Sequence, residues 1–366
     1  MCGALRRAKR IRGSVSLKSW LRRSLIAAGI LFVLLAVFSL EFLSFGGQFR
    51  ELQPQTPGEC TTLPLSASAE DIQIDRNRSI AYLSSLDRRA LVTGADVEGE
   101  VLQIDLAADP LRIDKALESA PPFFRPHGMA LYRMGDGKLR LFVISHPPEQ
   151  SHTVEIFEQS ATGRFVHIET VRDPLLVSPN AIVAVGPRQF YVANDKGASN
   201  VWQRFRESAL RAGLSTLVFH DGTTGRIVAS GLKSAVGLGI SPDGLRLHAA
   251  ETLGKRLAEY SRNPLTGDLR FTRHIELDGS PDNVNVDVDG TLWIAIHARL
   301  LDLIRHFGDP QHPAPTTIVT YANDAVRPVY VEDGSSISAG SVGAVFDGRL
   351  YIGSITEPEL RVCRLR

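Results

Sequence analysis

Six times the chain runs an apolar strand into a tight turn and out through a second apolar strand. The copies cover residues 72–83, 128–143, 181–192, 238–248, 284–294 and 342–352, with starts 46 to 58 residues apart. A strand pair recurring at this period predicts an all-β fold, a six-bladed β-propeller with one four-stranded sheet per repeat. A closed repeat of this kind occupies 366 residues without needing a second globular domain. The innermost strand of each blade faces a central channel, so the residues just before each copy converge on one end of it. Those residues are Glu70 and Asp71, His127, Asn180, Val236, Asp282 and Asn283, and Ser341. Four of the six positions bring a carboxylate, an amide or a histidine, a poor match to random loops.

Forty-one basic and 40 acidic residues leave a formal charge of +1, which gives no support to a nucleic-acid partner. The charge is nevertheless uneven. Residues 1–23 carry Arg6, Arg7, Lys9, Arg10, Arg12, Lys18, Arg22 and Arg23 with no acid. Residues 24–40 are uncharged and mostly apolar, and Phe42–Phe45 extends the run past Glu41. The stretch 24–45 is near the ~20 residues needed to cross a bilayer. The basic flank keeps the N-terminal side in the cytoplasm. We read 1–23 as a basic cytoplasmic tail and 24–45 as an uncleaved transmembrane signal-anchor, since no small-x-small cleavage site follows Leu40. A cleaved signal peptide is the rival reading, and 21–26 also loosely fits a twin-arginine export signal. Each places the body of the protein on the exported side, whether periplasmic, lumenal or extracellular.

Residues 46–59 are polar with Gly and Pro and read as a linker, leaving 60–366 for the propeller. Of three cysteines, Cys2 lies in the tail while Cys60 and Cys363 bracket the repeats. A pair at opposite ends of a closed ring points to a disulfide stapling the first and last segments, which an exported compartment permits; two separate buried thiols are the alternative. One helical patch stands out at 200–214, with Trp202, Phe205, Leu210 and Leu214. It reads as a surface helix that buries its own apolar face, or as an insertion that covers the channel or touches a membrane.

Several motifs share one order and spacing: Glu70-Asp71 before a strand, Arg125-Pro126-His127-Gly128, Ser145-His146-Pro147, Asn180 followed by 182–187, the Ile-Ser-Pro-Asp-Gly of 240–244, and Asp282-Asn283. Together with the two terminal cysteines they resemble the paraoxonase/arylesterase family, among the gluconolactonase-like six-bladed propellers. The resemblance implies a calcium ion in the channel held by Glu70, Asn180, Asp282 and Asn283. Two carboxylates and two amides suit that hard, oxygen-preferring cation, and no thiolate or histidine cluster argues for zinc. Two positions depart from the family pattern. Val236 stands where the family has an asparagine ligand, so the site loses an oxygen or replaces it with water. Asp71 matches one aspartate of the family's second, buried calcium, but Ala181 stands where its partner would be, so that ion is expected to be weak or absent.

His127 and His146 match the family's histidine pair. One imidazole acts as general base on water, its ordinary pKa near 6.5 lying close to working pH, and the second orients it. Asp282 is expected to assist as ligand or base, and His297 to line the pocket. The chain has no Gly-x-Ser-x-Gly, no phosphate-binding glycine loop and no His-Glu-x-x-His, which turns the expectation toward metal-assisted attack by water. The reading is therefore a calcium-dependent hydrolase of small lactones or aryl esters, attached to a membrane through its N-terminal helix. The alternative is a non-catalytic ligand-binding propeller with a degenerate calcium site.

Overall fold

The computed structural model describes residues 17–148 and 150–366. Most of the basic tail, including Cys2, lies outside the described residues. The chain divides after Phe49 into a helical unit and a propeller unit that begins at Arg50.

The helical unit is dominated by α1, Leu17–Phe45. Its stretch Ser19–Phe45 has 27 residues and a mean hydropathy of 2.5. At 1.5 Å per residue it is ~40 Å long, enough for the ~30 Å hydrocarbon core of a bilayer. Leu25, Phe32, Leu34 and Leu40 along it are all exposed. The helix is long and apolar enough to cross a membrane, a test that a signal sequence also passes.

In the propeller unit, six four-stranded antiparallel sheets form the blades. Blades 1 to 5 are meanders in chain order, opening with the inner strands Ser68–Asp75, Pro126–Arg133, Pro179–Ala184, Ala235–Ile240 and Ser280–Val286. Blade 6 opens with Gly340–Phe346, and its outermost strand comes from the other end of the chain. Cys60–Pro64 pairs there with Glu359–Arg364, Cys60 directly opposite Cys363, and the two cysteines are disulfide-bonded. The ring is thus closed by backbone pairing and by a covalent bond at the same place. Faces of adjacent blades pack on each other: Ile72 and Leu83 of blade 1 meet Val342 and Tyr351 of blade 6, and Tyr191 and Leu217 of blade 3 meet Leu238 and Leu247 of blade 4. Burial on both faces explains why the middle strands read as continuous apolar runs rather than as alternating ones.

All six inner strands break register near their first residues. The breaks fall between Ala69 and Ile72, Pro126 and Met129, Pro179 and Ala181, Ala235 and Gly237, Pro281 and Val284, and Gly340 and Val342. Residues left out of the pairing are Glu70 and Asp71, His127 and Gly128, Asn180, Val236, Asp282 and Asn283, and Ser341. A β-bulge frees a residue from the ladder and re-aims its side chain. The same six positions that precede the sequence repeats are therefore the bulged ones. The strands also approach closely here. A Cβ on Gly128 would lie 2.3 Å from the Asn180 carbonyl oxygen, and one on Gly237 would lie 2.2 Å from that of Asp282, so neither position has room for a side chain.

Among the described residues, three helices decorate the ring. Arg88–Val92 (α2) follows the second strand of blade 1, capped by the Asp87 carboxylate, which accepts from Ala90 N–H at 2.9 Å. Val201–Ala209 (α3) is capped by Asn200, and Leu300–Gly308 (α4) follows the second strand of blade 5. α3 is shorter than the patch read from the sequence, and its apolar side chains are not buried: Val201 is 81% exposed and Trp202 is 64% exposed, stacked on Phe205. Instead Glu207 faces inward and accepts from Gly197 N–H at 2.9 Å, which pins the polar side of this short helix to the ring. From Arg50 on, the segment after α1 belongs to the propeller. Gln55 pairs with Val331 of blade 5 through reciprocal backbone bonds of 2.8 Å, and its side-chain amide donates to Pro328 O at 2.9 Å.

Candidate active site

The bulged ends of the inner strands bring the candidate residues into one cluster. Glu70 is its centre. The Asn283 side-chain amide donates to Glu70 Oε1 at 2.9 Å and to the Glu70 carbonyl at 3.0 Å, and the Ser341 hydroxyl donates to the same carbonyl at 2.8 Å. His127 Nδ1 lies 3.8 Å from Glu70 Oε2. On the inner strand of blade 5 the buried Asp282 carboxylate accepts from His297 Nε2 at 2.9 Å. Blades 1, 2, 3, 5 and 6 thus contribute polar groups, while blade 4 contributes only Val236.

Two buried oxygens in this cluster have no hydrogen-bond partner: Glu70 Oε2 and Asn180 Oδ1. Leaving a buried acceptor unsatisfied costs about 1–3 kcal/mol, more for a charged group. Among the described residues no three His, Cys, Asp or Glu side chains form a metal-binding group. Of the expected ligand set, only Glu70 and Asp282 belong to those residue types. The donors present, two carboxylates and two amides, with the Glu70 and Asn180 oxygens orphaned, fit a hard cation by their chemistry.

Electrostatics reinforce the picture. Burial pushes the Asp282 carboxyl above its usual range, with the bond from His297 opposing the shift. Asp71, also buried, is pushed up to about 7 by desolvation and by the charge of Glu70, against the pull of its bonds from Met129 N–H (2.7 Å) and the Gln73 amide (3.2 Å). The sequence reading missed the cation that faces them. Arg88, on α2, is buried; its guanidinium lies 3.9 Å from Glu70 Oε2 and donates to Pro126 O at 3.0 Å. Burial lowers its pKa while Glu70, Asp282 and Asp71 raise it. In the sequence Arg88 sits in the run Asp87-Arg88-Arg89, which looks like an ordinary surface charge cluster; nothing local marks one arginine as internal.

The histidines lie beside the carboxylates. His127 Nδ1 is 3.0 Å from the Asn180 carbonyl oxygen. A carbonyl only accepts, so Nδ1 carries the proton and the neutral ring presents a bare Nε2. The His127 and His146 rings stand edge to face with centroids 5.1 Å apart. His146 Nδ1 in turn bonds His152 Nδ1 at 2.8 Å. His152, to which the sequence assigned no role, is the third member of this row. Burial holds His146 well below the usual imidazole range, and the neighbouring His127, His152, Arg88 and Lys196 add to the effect. The inner strands also line a cavity of about 130 Å³, with Ala130, Ile182, Leu238 and Val284 beside Gln73 and Asn285.

Fold and site together define a six-bladed β-propeller with an acidic, histidine-flanked channel mouth. Comparison with known proteins narrows this. Residues 51–365 match the Arylesterase family. Serum paraoxonase/arylesterase 2 of Homo sapiens is 30% identical over 348 residues, covering 90% of this chain and 97% of that protein. The Gallus gallus protein of the same name is 31% identical, covering 90% and 96%. The chain belongs to the arylesterase family and is an enzyme of the ester and lactone hydrolase class. Solved structures extend the likeness of fold: a gluconolactonase from Xanthomonas campestris superposes with a TM-score of 0.54 at 17% identity, covering 87% of this chain and 99% of that one. A luciferin-regenerating enzyme does so with a TM-score of 0.52 at 13% identity, covering 84% and 96%.

Proposed function

We propose that the protein is a calcium-dependent hydrolase of small lactones or aryl esters, with Glu70, Asn180, Asp282 and Asn283 holding the ion. The observation that carries this reading is the pair of buried oxygens Glu70 Oε2 and Asn180 Oδ1, neither of which receives a hydrogen bond, in one cluster. The names of the relatives, serum paraoxonase/arylesterase and gluconolactonase, support the substrate class. When bound, calcium supplies positive charge that polarises an ester carbonyl and stabilises the oxyanion that develops on it.

This chain's own residues do the rest. His127, its Nδ1 proton held by the Asn180 carbonyl, takes a proton from water at Nε2 as the water oxygen attacks the acyl carbon. The acyl–oxygen bond then breaks, and the leaving alkoxide takes up a proton delivered by His127. His146, its ring edge to face with that of His127 at 5.1 Å between centroids, orients the base. Asn283 and Ser341 hold Glu70 in place, and His297 orients Asp282. Arg88 offsets part of the carboxylate charge.

The test is hydrolysis of a panel of lactones and aryl esters by the purified protein with calcium and with a chelator. Calcium-dependent turnover lost in His127→Ala, by ~10²–10⁴-fold for a removed base, is the expected result. Absence of turnover on every substrate would favour a ligand-binding propeller instead, the reading to which Val236 lends weight by giving the cluster no oxygen. We further propose that α1 anchors the chain with the propeller on the exported side, a placement supported by its apolar length and by the Cys60–Cys363 disulfide. Protease added outside intact cells should then digest the propeller; its protection would reverse the orientation.

A further inference from the structure

We propose that His152 is a positioning residue for the catalytic histidines and the outer end of a three-histidine proton relay, His127–His146–His152. The inference rests on the hydrolase reading above and extends it to a residue outside the channel mouth. His146 ends the second strand of blade 2, Leu139–Ser145, and His152 directly precedes the third, Thr153–Gln159. The hairpin between them brings both rings to the channel end of the blade, with centroids 4.5 Å apart. Their Nδ1 atoms are 2.8 Å apart, a hydrogen bond between two nitrogens of the same kind.

Such a bond needs one ring to donate and the other to accept. If His146 donates, its Nε2 is bare and free to accept a proton from His127. If His152 donates, His146 carries its proton on Nε2 and has none to pass outward through Nδ1. His152 therefore selects the useful tautomer of His146 when it accepts. The relay is the exchange between the two senses. The proton that His127 Nε2 takes from water passes to His146 Nε2, between rings whose centroids are 5.1 Å apart. His146 releases its Nδ1 proton to His152 Nδ1, and His152 loses its Nε2 proton to solvent. The reverse hops deliver a proton to the leaving alkoxide, and the product acid sheds its own proton to bulk, so the row returns to its starting tautomers.

The gradation of burial fits this direction. His146 is desolvated and stays neutral, a conduit rather than a trap; at His152 the lesser burial still disfavours the charged form, with Asp195 opposing that effect and His127 and Lys196 adding to it. Asp195 is fixed by the Ser178 hydroxyl and ion-paired to Lys196 at 3.4 Å. The hydrogen bond of His152 goes to His146 and not to the carboxylate cluster, so replacing His152 leaves the bonds of that cluster in place.

The experiment compares the full-length protein with His152→Ala and His152→Gln on whichever lactone or aryl ester it hydrolyses, in dilute non-imidazole buffer. The expected result is a fall in kcat smaller than that of His127→Ala, with KM and calcium affinity unchanged, and recovery of His152→Ala as free imidazole is added. Glutamine fills the space without relaying a proton, so His152→Gln should fold like the parent and stay slow. Wild-type kcat in both variants, or a loss that imidazole does not touch, would overturn the relay. Failure of the hydrolase reading looks different, as absence of His127-dependent turnover in the unaltered protein. In that event nuclear magnetic resonance of imidazole-labelled protein still decides the bond. A shared, downfield His146–His152 proton lost in His152→Gln supports the geometry, and its absence from the parent refutes it.

Discussion

Replacing Cys60 by Ala cuts the covalent closure of the ring while sparing its backbone closure. Five residue pairs, Cys60↔Cys363 through Pro64↔Glu359, hold the outer strand of blade 6 in register without the sulfur bond. The fold should therefore persist, and the loss should appear in the unfolded state, whose ends are no longer tied. With a sequence separation of 303 between the cysteines, the chain-entropy model gives about 5.7 kcal/mol at 25 °C, and engineered cases often deliver less. An unfolding entropy of ~2.1 cal/mol/K per residue over that length is ~0.6 kcal/mol/K, so the drop in Tm should be up to ~9 °C. Cys363 is buried, and its freed thiol behaves as a small apolar group, so the substitution adds little penalty of its own. Calorimetry of Cys60→Ala without reductant, beside the parent with and without reductant, measures this. The reduced parent should melt with the variant, and hydrolysis at low temperature should be unaffected, since the bond lies on the outermost strand pair and the site on the innermost strands. A Cys60→Ala protein that melts within ~2 °C of the oxidised parent would show that the bond does not constrain the unfolded chain as argued.

Three further outcomes follow from the site. Asp282→Ala should abolish calcium binding measured by calorimetric titration, and Val236→Asn, which adds an oxygen donor on the one blade without a polar group, should tighten it; if neither moves the affinity, the ion does not sit in this cluster. Arg88→Met removes the buried cation beside Glu70, so calcium should bind more tightly while the calcium-free protein melts lower; an unchanged calcium affinity would mean that Arg88 does not share the field of the carboxylates. His146 bears on pH. Its folded pKa lies below the ordinary 6.5 because burial disfavours the imidazolium, so below about pH 6.5 the unfolded chain binds a proton that the folded one does not, and stability falls as pH drops. His146→Gln should flatten that slope between pH 6.5 and 5 in denaturant titrations, and an unaltered slope would refute the assignment.

Much of this architecture was legible in the chain itself. A strand–turn–strand unit repeated six times cannot bury its faces except against its own copies, so the period alone dictates blades, and the cysteines at the two ends mark where the ring shuts. The same repeat located Glu70, His127, Asn180, Asp282 and Asn283, because a feature that recurs at one phase of a repeat must recur at one end of a ring. Periodicity could not supply what depends on neighbours brought in from other strands. The register breaks that turn those side chains out of the ladder fall where the inner strands converge, as closely as Gly128 and Gly237 allow. Arg88 and Arg89 are adjacent and alike, yet one is buried among carboxylates and the other pairs with Glu357. His152 is one histidine among ten until a hairpin sets its ring against His146. The exposed face of α3 likewise follows from Glu207 being pulled inward. Local sequence fixes periodicity and turn chemistry. Burial, tautomer and charge compensation are properties of the assembled ring, where residues distant in sequence set one another's environment.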